Sequence, residues 1–578
     1  MKKKLLKTLL VTGAAIILAS CGGDNGGESE KKGTITVDPL SVSELGQGFN
    51  AKFLPDKGSI DQQSGKIDVC LDFEGTQYGW KKVAAEYERL HGGAVRVNVN
   101  DNLSGGQYKE RMIQELLNPN TDWDICEGNL GYGYTSDACV NMFTQFSAKN
   151  AYCGKDVIWN TVLDPAAYRS SVADTSGNAF IVNSEIMQSC WFINEVALSA
   201  AKAKGWANAS GAEGYPETWD DLISLCEKME EAGYSNPLGI TLCASSVQSL
   251  QFTWLLRIYG DYYYRQFYKY TQAGDTWDNY LPTRSDVETL AGYGTKYCKI
   301  LNLLFDENTE YGPGYVGFKS EVYKDFVSQL HKMKGHLMEN VDTTEFQPLR
   351  DVFVSQSRGT SSPQIILDYQ GFGLNYTKKV TDNFKVGYFD YPRMVSGEFQ
   401  SGDYEGEKIV SEDTLTRDIG GNGGFISVIN HRGDSAQTNL NKDFIKFFLS
   451  PYGQTIYYKG LAENNISPKG ISSVKTSVVT PKEWTDFFDT SNRTIKFNGN
   501  VDPNPFISFG VRYCNGMKNT ESCIVENWRQ LLMENVGTPL TVNSFSNKWA
   551  DACFKDMKLL CEKYKWPTDL YLQPHYGM

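Results

Sequence analysis

Histidine is scarce, with five in 578 residues. His331 and His336 stand five apart, a spacing that does not align them on one helix face. Little is left for a histidine metal site or a catalytic triad. No two of the 13 cysteines form a CxxC pair, so a structural zinc or iron–sulfur site is not expected. There is no GxSxG elbow, no HExxH and no Walker A sequence, and Gly131-x-Gly133 lacks the third glycine of a dinucleotide loop. Neither a metal nor a cofactor is expected, and the chain is not expected to be an enzyme. Basic residues are also in deficit, 56 against 69 acidic, for a formal charge of -13. Such a surface repels nucleic acid and anionic lipid, so no nucleic-acid partner is expected.

Long apolar runs are missing too. The longest lies at the N-terminus, where Lys2, Lys3, Lys4 and Lys7 precede Leu9 to Leu18. This run is too short to span a bilayer comfortably, and it reads as a secretory signal. Losing it removes four lysines and takes the charge to about -17, 52 basic against 69 acidic residues. The run closes on Leu18-Ala19-Ser20-Cys21, which resembles a bacterial lipobox. By that resemblance residues 1–20 are cleaved and Cys21 becomes a diacylated N-terminus on the outer face of a cell membrane. Residues 22–33 hold no apolar side chain and read as a flexible tether. The twelve other cysteines are expected to be mostly buried free thiols, although their even number leaves pairing open.

The N-terminal extension to residue 65 shows neither clean period. From Ile67 to Phe73 the pattern alternates as a strand does. Trp80, Val83, Ala84 and Tyr87 then mark a helix that stops at Gly92-Gly93. Val95, Val97 and Val99 give a second strand. Tyr108, Met112, Ile113, Leu116 and Leu117 give a second helix, and Trp123 to Cys126 a third strand. This order predicts a parallel sheet covered by helices, with ligand at the carboxyl ends of the strands. The loops there carry Glu74, Gln77 and Tyr78, and Asn129, Tyr132 and Tyr134. Further on, a strand leads into an alanine-rich helix from Val196, and Thr218 and Asp221 have capping-box spacing ahead of a face made of Trp219, Leu222, Ile223 and Cys226.

The order of these segments resembles the family 1 extracellular solute-binding proteins of ABC importers. The likeness rests on Ile193-Asn194-Glu195 leading to Lys204-Gly205-Trp206, then Pro216-Glu217-Thr218-Trp219-Asp220-Asp221-Leu222. Val386 to Pro392, Gly420 to Val428, Asp443 to Gln454 and Ser467-Pro468 agree with it. Phe353 to Thr360 is a weaker match, and the tyrosine-rich stretch Tyr259 to Tyr280 looks like an insertion. The resemblance covers roughly residues 66–475. It implies an α/β fold of two lobes with hinge crossovers and an interlobe ligand cleft. Lobe one is expected from 66–178 plus 385–455, and lobe two from 179–384 plus 456–578, in a monomer.

The resemblance also implies a carbohydrate ligand and an ABC permease as partners. Aromatics make up 13% of the chain, and such rings can stack on sugar faces while Asp, Glu, Asn and Gln bond the hydroxyls. Trp254 is favoured because family members often place an aromatic facing the cleft on the corresponding helix. Tyr132, Tyr369 and Phe372 are favoured by their glycine-containing loops, and Gly421 by its glycine-rich segment. Two other readings stand beside this one: a secreted glycoside hydrolase with two carboxylates, and a glycan-binding surface lipoprotein without a transporter. The anchor has a direct test. Cys21→Ala releases or misprocesses the protein without changing ligand affinity, as read by membrane fractionation and mass of the mature chain; a variant still processed and membrane-bound overturns the lipid assignment.

Overall fold

In a computed structural model of the chain, the residues described are 33–564, less 73–74, 104, 129–137, 165–178, 188, 213, 244–250, 265–316, 372–383, 402–403, 413, 417–420, 483, 486–525 and 535. Glu74, Asn129, Tyr132, Tyr134, Phe372 and Cys21 therefore lie outside the described residues, as does the tyrosine-rich stretch beyond Tyr264.

The first three strands form as their alternation predicts, although β1 ends at Cys70 rather than at Phe73. Strand β1 (Gly65–Cys70) pairs in parallel with β2 (Val95–Asn100) and with β3 (Ile125–Glu127). Helix α1 (Gln77–Leu90) crosses between β1 and β2, and α2 (Gly105–Leu117) between β2 and β3. The face foreseen for α1 is buried, with Trp80, Val83, Ala84 and Tyr87 all in the core. At its end Gly92 and Gly93 take positive φ of 61° and 74°, the left-handed geometry that glycine tolerates and side chains resist.

Strand β4 (Val182–Met187) joins this sheet, and β5 (Ser189–Asn194) opens a second one almost immediately. Asn194 caps α3 (Glu195–Ala203), accepting from the Val196 amide. The capping box Thr218/Asp221 starts α4 (Trp219–Glu231) as its spacing predicts. Then follow β6 (Leu238–Gly239), α5 (Gln251–Tyr264), α6 (Glu321–His331), α7 (Phe346–Ser355), β7 (Ile365–Tyr369) and β8 (Val386–Phe389). The chain returns to the first sheet with β9 (Gly421–Val428), α8 (Ser435–Phe448), α9 (Pro451–Glu463) and β10 (Ile471–Ser472). It ends on α10 (Trp528–Leu532) and α11 (Val542–Tyr564), whose buried residues join the second core.

Six strands make the first sheet, in the order β10-β4-β9-β3-β1-β2, and four the second, β6-β7-β5-β8. Four placements depart from the expected lobes, one being β10, which lies in the first sheet beside β4 although 456–578 is expected in lobe two. Strand β4 lies in the first sheet, antiparallel to β9, and β8 lies in the second, antiparallel to β5. Helix α9 belongs wholly to the first core, although the expected boundary cuts it at residue 456. Burial explains the misreading, because β4 and β5 are covered on both faces and a strand with no exposed face carries no label for its sheet. Residues 34–65 are also part of the first body: Ile35, Leu45, Phe49 and Ile60 enter its core, and the Leu40 amide donates to the Tyr452 hydroxyl at 2.7 Å.

The α1–α9 contact is closest where side chains are smallest. A Cβ on Gly79 would meet the Tyr457 ring at 2.4 Å, and one on Gly460 the Tyr78 carbonyl oxygen at 2.7 Å. Trp80 stacks on Phe448 of α8 with centroids 4.1 Å apart. At the opposite end of the sheet Asp124 is held by four donors: the Asp68 amide, His431 Nε2 at 2.7 Å, Gln437 Nε2 and Asn441 Nδ2. The bond to Asp124 raises the His431 pKa against the opposing effect of burial. A raised histidine stabilises the fold fully below its unfolded value of about 6.5 and loses that contribution as pH rises through the folded value. His431→Gln is therefore expected to flatten the fall in melting temperature as pH climbs from about 6 through the folded value, measured by calorimetry; an unchanged slope excludes this pair as its source.

Candidate functional site

The carboxyl ends of β1 and β3 bring acidic and hydroxyl side chains to one place. Asp72 follows β1, and Thr76 stands at the start of α1. The Thr76 hydroxyl makes no capping bond; it donates instead to Glu127 Oε2 at 3.0 Å, at the last position of β3. Gln77 is turned back on its own loop, accepting from the Gly75 amide at 2.6 Å. It thus serves as a local cap. Gly128 follows Glu127 with φ of 139°, and a Cβ there would lie 3.8 Å from Asp72 Oδ2.

Two more segments reach the same ground from other parts of the chain. One is strand β4, which carries Glu185. The other is the strap Ser467-Pro468-Lys469-Gly470, running from α9 into β10. A Cβ on Gly470 would stand 2.2 Å from the Ile186 carbonyl oxygen, and one on Gly371, just past β7, would stand 2.1 Å from that of Pro468. Glycine is required at both positions because backbone meets backbone. The strap is thus wedged between the two sheets.

Around it lies a group of buried charges. Glu127 and Glu185 are 2% and 1% exposed. Burial raises the Glu127 carboxyl, opposed by Lys469 and by the Thr76 bond. Burial pushes Glu185 up to about 8, again against the pull of Lys469, and the Tyr457 and Tyr458 hydroxyls lie beside it. Burial likewise lowers Lys469 to about 8, opposed by Glu127, Glu185 and Asp72. Among the described residues neither Glu185 oxygen makes a hydrogen bond of ordinary geometry, and the Gln370 side-chain oxygen at the end of β7 makes none either.

An aromatic group adjoins this polar ground. The rings of Trp254 on α5 and Tyr369 on β7 meet edge to face, centroids 4.2 Å apart. Phe346 stands 6.4 Å from Tyr369. The Arg350 guanidinium covers Phe346 at 3.6 Å and grips Asp368 through two bonds of 2.7 Å. Tyr369 is the last residue of a strand and is 8% exposed, rather than lying open in a loop as its neighbouring glycine suggested; Trp254 is 7% exposed. Tyr78 is 39% exposed on α1, and Gly421 pairs with Met187 at the start of β9. The structure thus joins Trp254 to Tyr369, and it brings Gln77 beside the charged cluster. Pattern reading missed Glu127, Glu185, Gln370 and Lys469. Only Glu127, ahead of Gly128 at a strand end, carried a signal that could have found it.

Residues 72–317 match the family model for bacterial extracellular solute-binding protein. Over that stretch, 246 of the 578 residues, the chain is similar to that family. Its fold is also that of solved members of this class. A cyclic α-maltosyl-1,6-maltose binding protein from Arthrobacter globiformis superposes with a TM-score of 0.50 at 11% identity, over 86% of this chain and all of the other. The raffinose complex of the binding protein RafE gives 0.50 at 12%, over 85% of this chain and all of that one. A search of curated protein sequences returns no match. These matches run to binding proteins and not to enzymes. Among the described residues no group of three or more His, Cys, Asp or Glu is placed to hold a metal ion, and no helix is long and apolar enough to cross a membrane.

Trp254 generates the site's own test. Replacing it with alanine empties a packed position, at a cost of about 3–5 kcal/mol in stability, and is expected to weaken sugar binding at least tenfold, about 1.4 kcal/mol. Isothermal calorimetry on the folded variant decides, and unchanged affinity removes Trp254 from the site.

Proposed function

We propose that this solute-binding protein captures a sugar or oligosaccharide between its two α/β halves and passes it to an ABC permease as the halves close about their crossovers. The observation that carries the reading is the Trp254–Tyr369 ring pair beside the polar ground formed by Asp72, Thr76, Glu127 and Gln370. Aromatic faces take the C–H surface of a sugar, and carboxylates, hydroxyls and amides take its hydroxyl groups. The ligands named for the fold relatives, an α-maltosyl-1,6-maltose ring and raffinose, are of this class. Glu74, Asn129, Tyr132 and Phe372, close in sequence to these residues, are proposed as further contacts.

Closure follows from population shift: a ligand touching both halves favours the closed state by its extra contacts there, and the permease would read that state. A diacylated Cys21 would hold the binder at the membrane, because two acyl chains anchor stably where one does not.

A thermal-shift panel tests the ligand class, since a molecule that binds only the folded state stabilises it by about 2.7 kcal/mol at a hundred times its Kd. Raffinose, maltotetraose, mannotriose and chitotriose are the probes. At least one is expected to raise the melting temperature, to shrink the radius of gyration in small-angle scattering, and to be recovered without release of reducing sugar. A panel in which none binds, while a peptide or amino acid does, overturns the carbohydrate reading.

A further inference from the structure

Tyr369, one ring of the proposed sugar platform, is the last residue of β7 and closes the β5–β7 ladder opposite Ser189. Beyond it no further rung of that ladder fixes the chain, so the direction of the ring depends on side chains. Helix α7 supplies two of them. Phe346 and Arg350 stand four apart on α7 and so share a face. The Phe346 ring lies edge-on to Tyr369, centroids 6.4 Å apart at 80°. The Arg350 guanidinium carbon sits 3.6 Å from the Phe346 centroid and 6.0 Å from that of Tyr369, within cation–π reach of both. All three of its nitrogens are engaged. Nε and Nη2 donate to the two Asp368 oxygens at 2.7 Å each, and Nη1 donates to Gln347 Oε1 at 3.3 Å. Asp368 Oδ1 also accepts from the Tyr369 amide at 2.7 Å. One carboxylate thus links the arginine fork to the backbone of the residue that carries the ring.

We propose that Arg350 is a positioning residue for sugar binding: its fork on Asp368 and its contact with Phe346 hold the Tyr369 ring edge to face with Trp254. The effect on ligand rests on the sugar-binding reading above; the effect on the ring does not. A planar fork that meets a carboxylate through two parallel bonds fixes an angle as well as a distance. A lysine ammonium in the same place keeps the charge and loses the angle. With the ring held, a sugar face meets a surface already in place, and binding does not have to order it.

A test has to separate the ring from the fold. Asp368 is fully buried, so removing Arg350 alone strands a carboxylate away from water and unsettles the whole half. Replacing both partners avoids this. Arg350→Met with Asp368→Asn leaves no buried charge at this point, fills much of the same volume and keeps a side-chain oxygen for the Tyr369 amide. Exchanging a buried ion pair for neutral groups of similar volume often leaves stability unchanged, whereas the fork that sets the angle is gone.

Fluorine NMR on the full mature chain labelled with fluorotryptophan reads the ring pair without ligand, the Trp254 line being the one lost in Trp254→Phe. The paired variant is expected to melt near the wild type and to shift or broaden the Trp254 line, because the ring facing it at 4.2 Å is no longer held. Arg350→Lys is expected to disturb the same line, and it carries the test should the paired variant fail to fold. An undisturbed Trp254 line in either folded variant overturns the proposal. Calorimetry with raffinose, mannotriose and chitotriose adds the ligand arm: for a probe that the wild type binds, the paired variant weakens affinity about tenfold. In a Tyr369→Leu background the same paired change is expected to cost less than about twofold more, since Arg350 acts through that ring. Wild-type affinity in the paired variant, or an undiminished further loss without the tyrosine ring, overturns the positioning role in binding. A wild type that binds none of these probes overturns the sugar reading, while the Trp254 line still decides the orientation of the ring.

Discussion

Titratable groups buried where the two sheets approach each other constrain much of the surrounding architecture, and burial pushes Glu127 and Glu185 toward the neutral acid. Taking a carboxylate or an ammonium out of water costs several kcal/mol even after relaxation. Glu127, Glu185 and Lys469 reduce that cost only by staying together, each shifting the others toward a shared protonation pattern. Their association fixes more than themselves. Glu127 ends β3, Glu185 lies on the last strand before the passage into the second sheet, and Lys469 rides the strap that brings the chain back. Three separate segments, far apart in sequence, meet there. The glycines at 371 and 470 then let the backbones touch.

Packing elsewhere flanks this polar junction. The first core is closed by α1, α8 and α9 through Trp80, Phe448 and Tyr457, and the second by Trp191, Trp219, Tyr259 and Trp528. Each half thus carries its own large aromatic core. Burying such rings contributes on the order of 25 cal/mol per Å² of apolar surface. Phe192, Ile366 and Val386 of the second sheet, with Phe353 of α7, also join the first core, so an apolar contact accompanies the polar one where the halves meet. The placement of Trp254 and Tyr369 at the margin of the second core fits the same division.

What could be read in the sequence was what local physics decides. The α1 face, the Gly92-Gly93 stop, the Thr218/Asp221 capping box and the parallel β1–β2–β3 order all follow from local spacing. Sheet membership did not follow for β4, β8 and β10, because strands of two to six residues look alike whichever sheet they join. Residues 34–65 were illegible for another reason: Ile35, Leu45, Phe49 and Ile60 are too widely spaced to show a period, and they pack by reaching across to α9 and its neighbours. The site was half legible. Trp254 came from a family likeness and Tyr369 from its position, but a glutamate in Val182-Asn183-Ser184-Glu185-Ile186 gives no sign that it will be buried against a lysine almost 300 residues away.

The cysteines show how burial settles what counting leaves open. Cys70, Cys126, Cys139, Cys153 and Cys226 are buried free thiols. Cys70 and Cys126 face each other across the parallel β1–β3 ladder, in a small core with Cys139, Met112 and Tyr108. Desolvation pushes Cys70 and Cys139 up to about 12 and Cys126 well above its ordinary value. Exchange needs a thiolate, and at neutral pH these thiols supply almost none. They can therefore remain reduced in an oxidising compartment for as long as the fold stays closed around them.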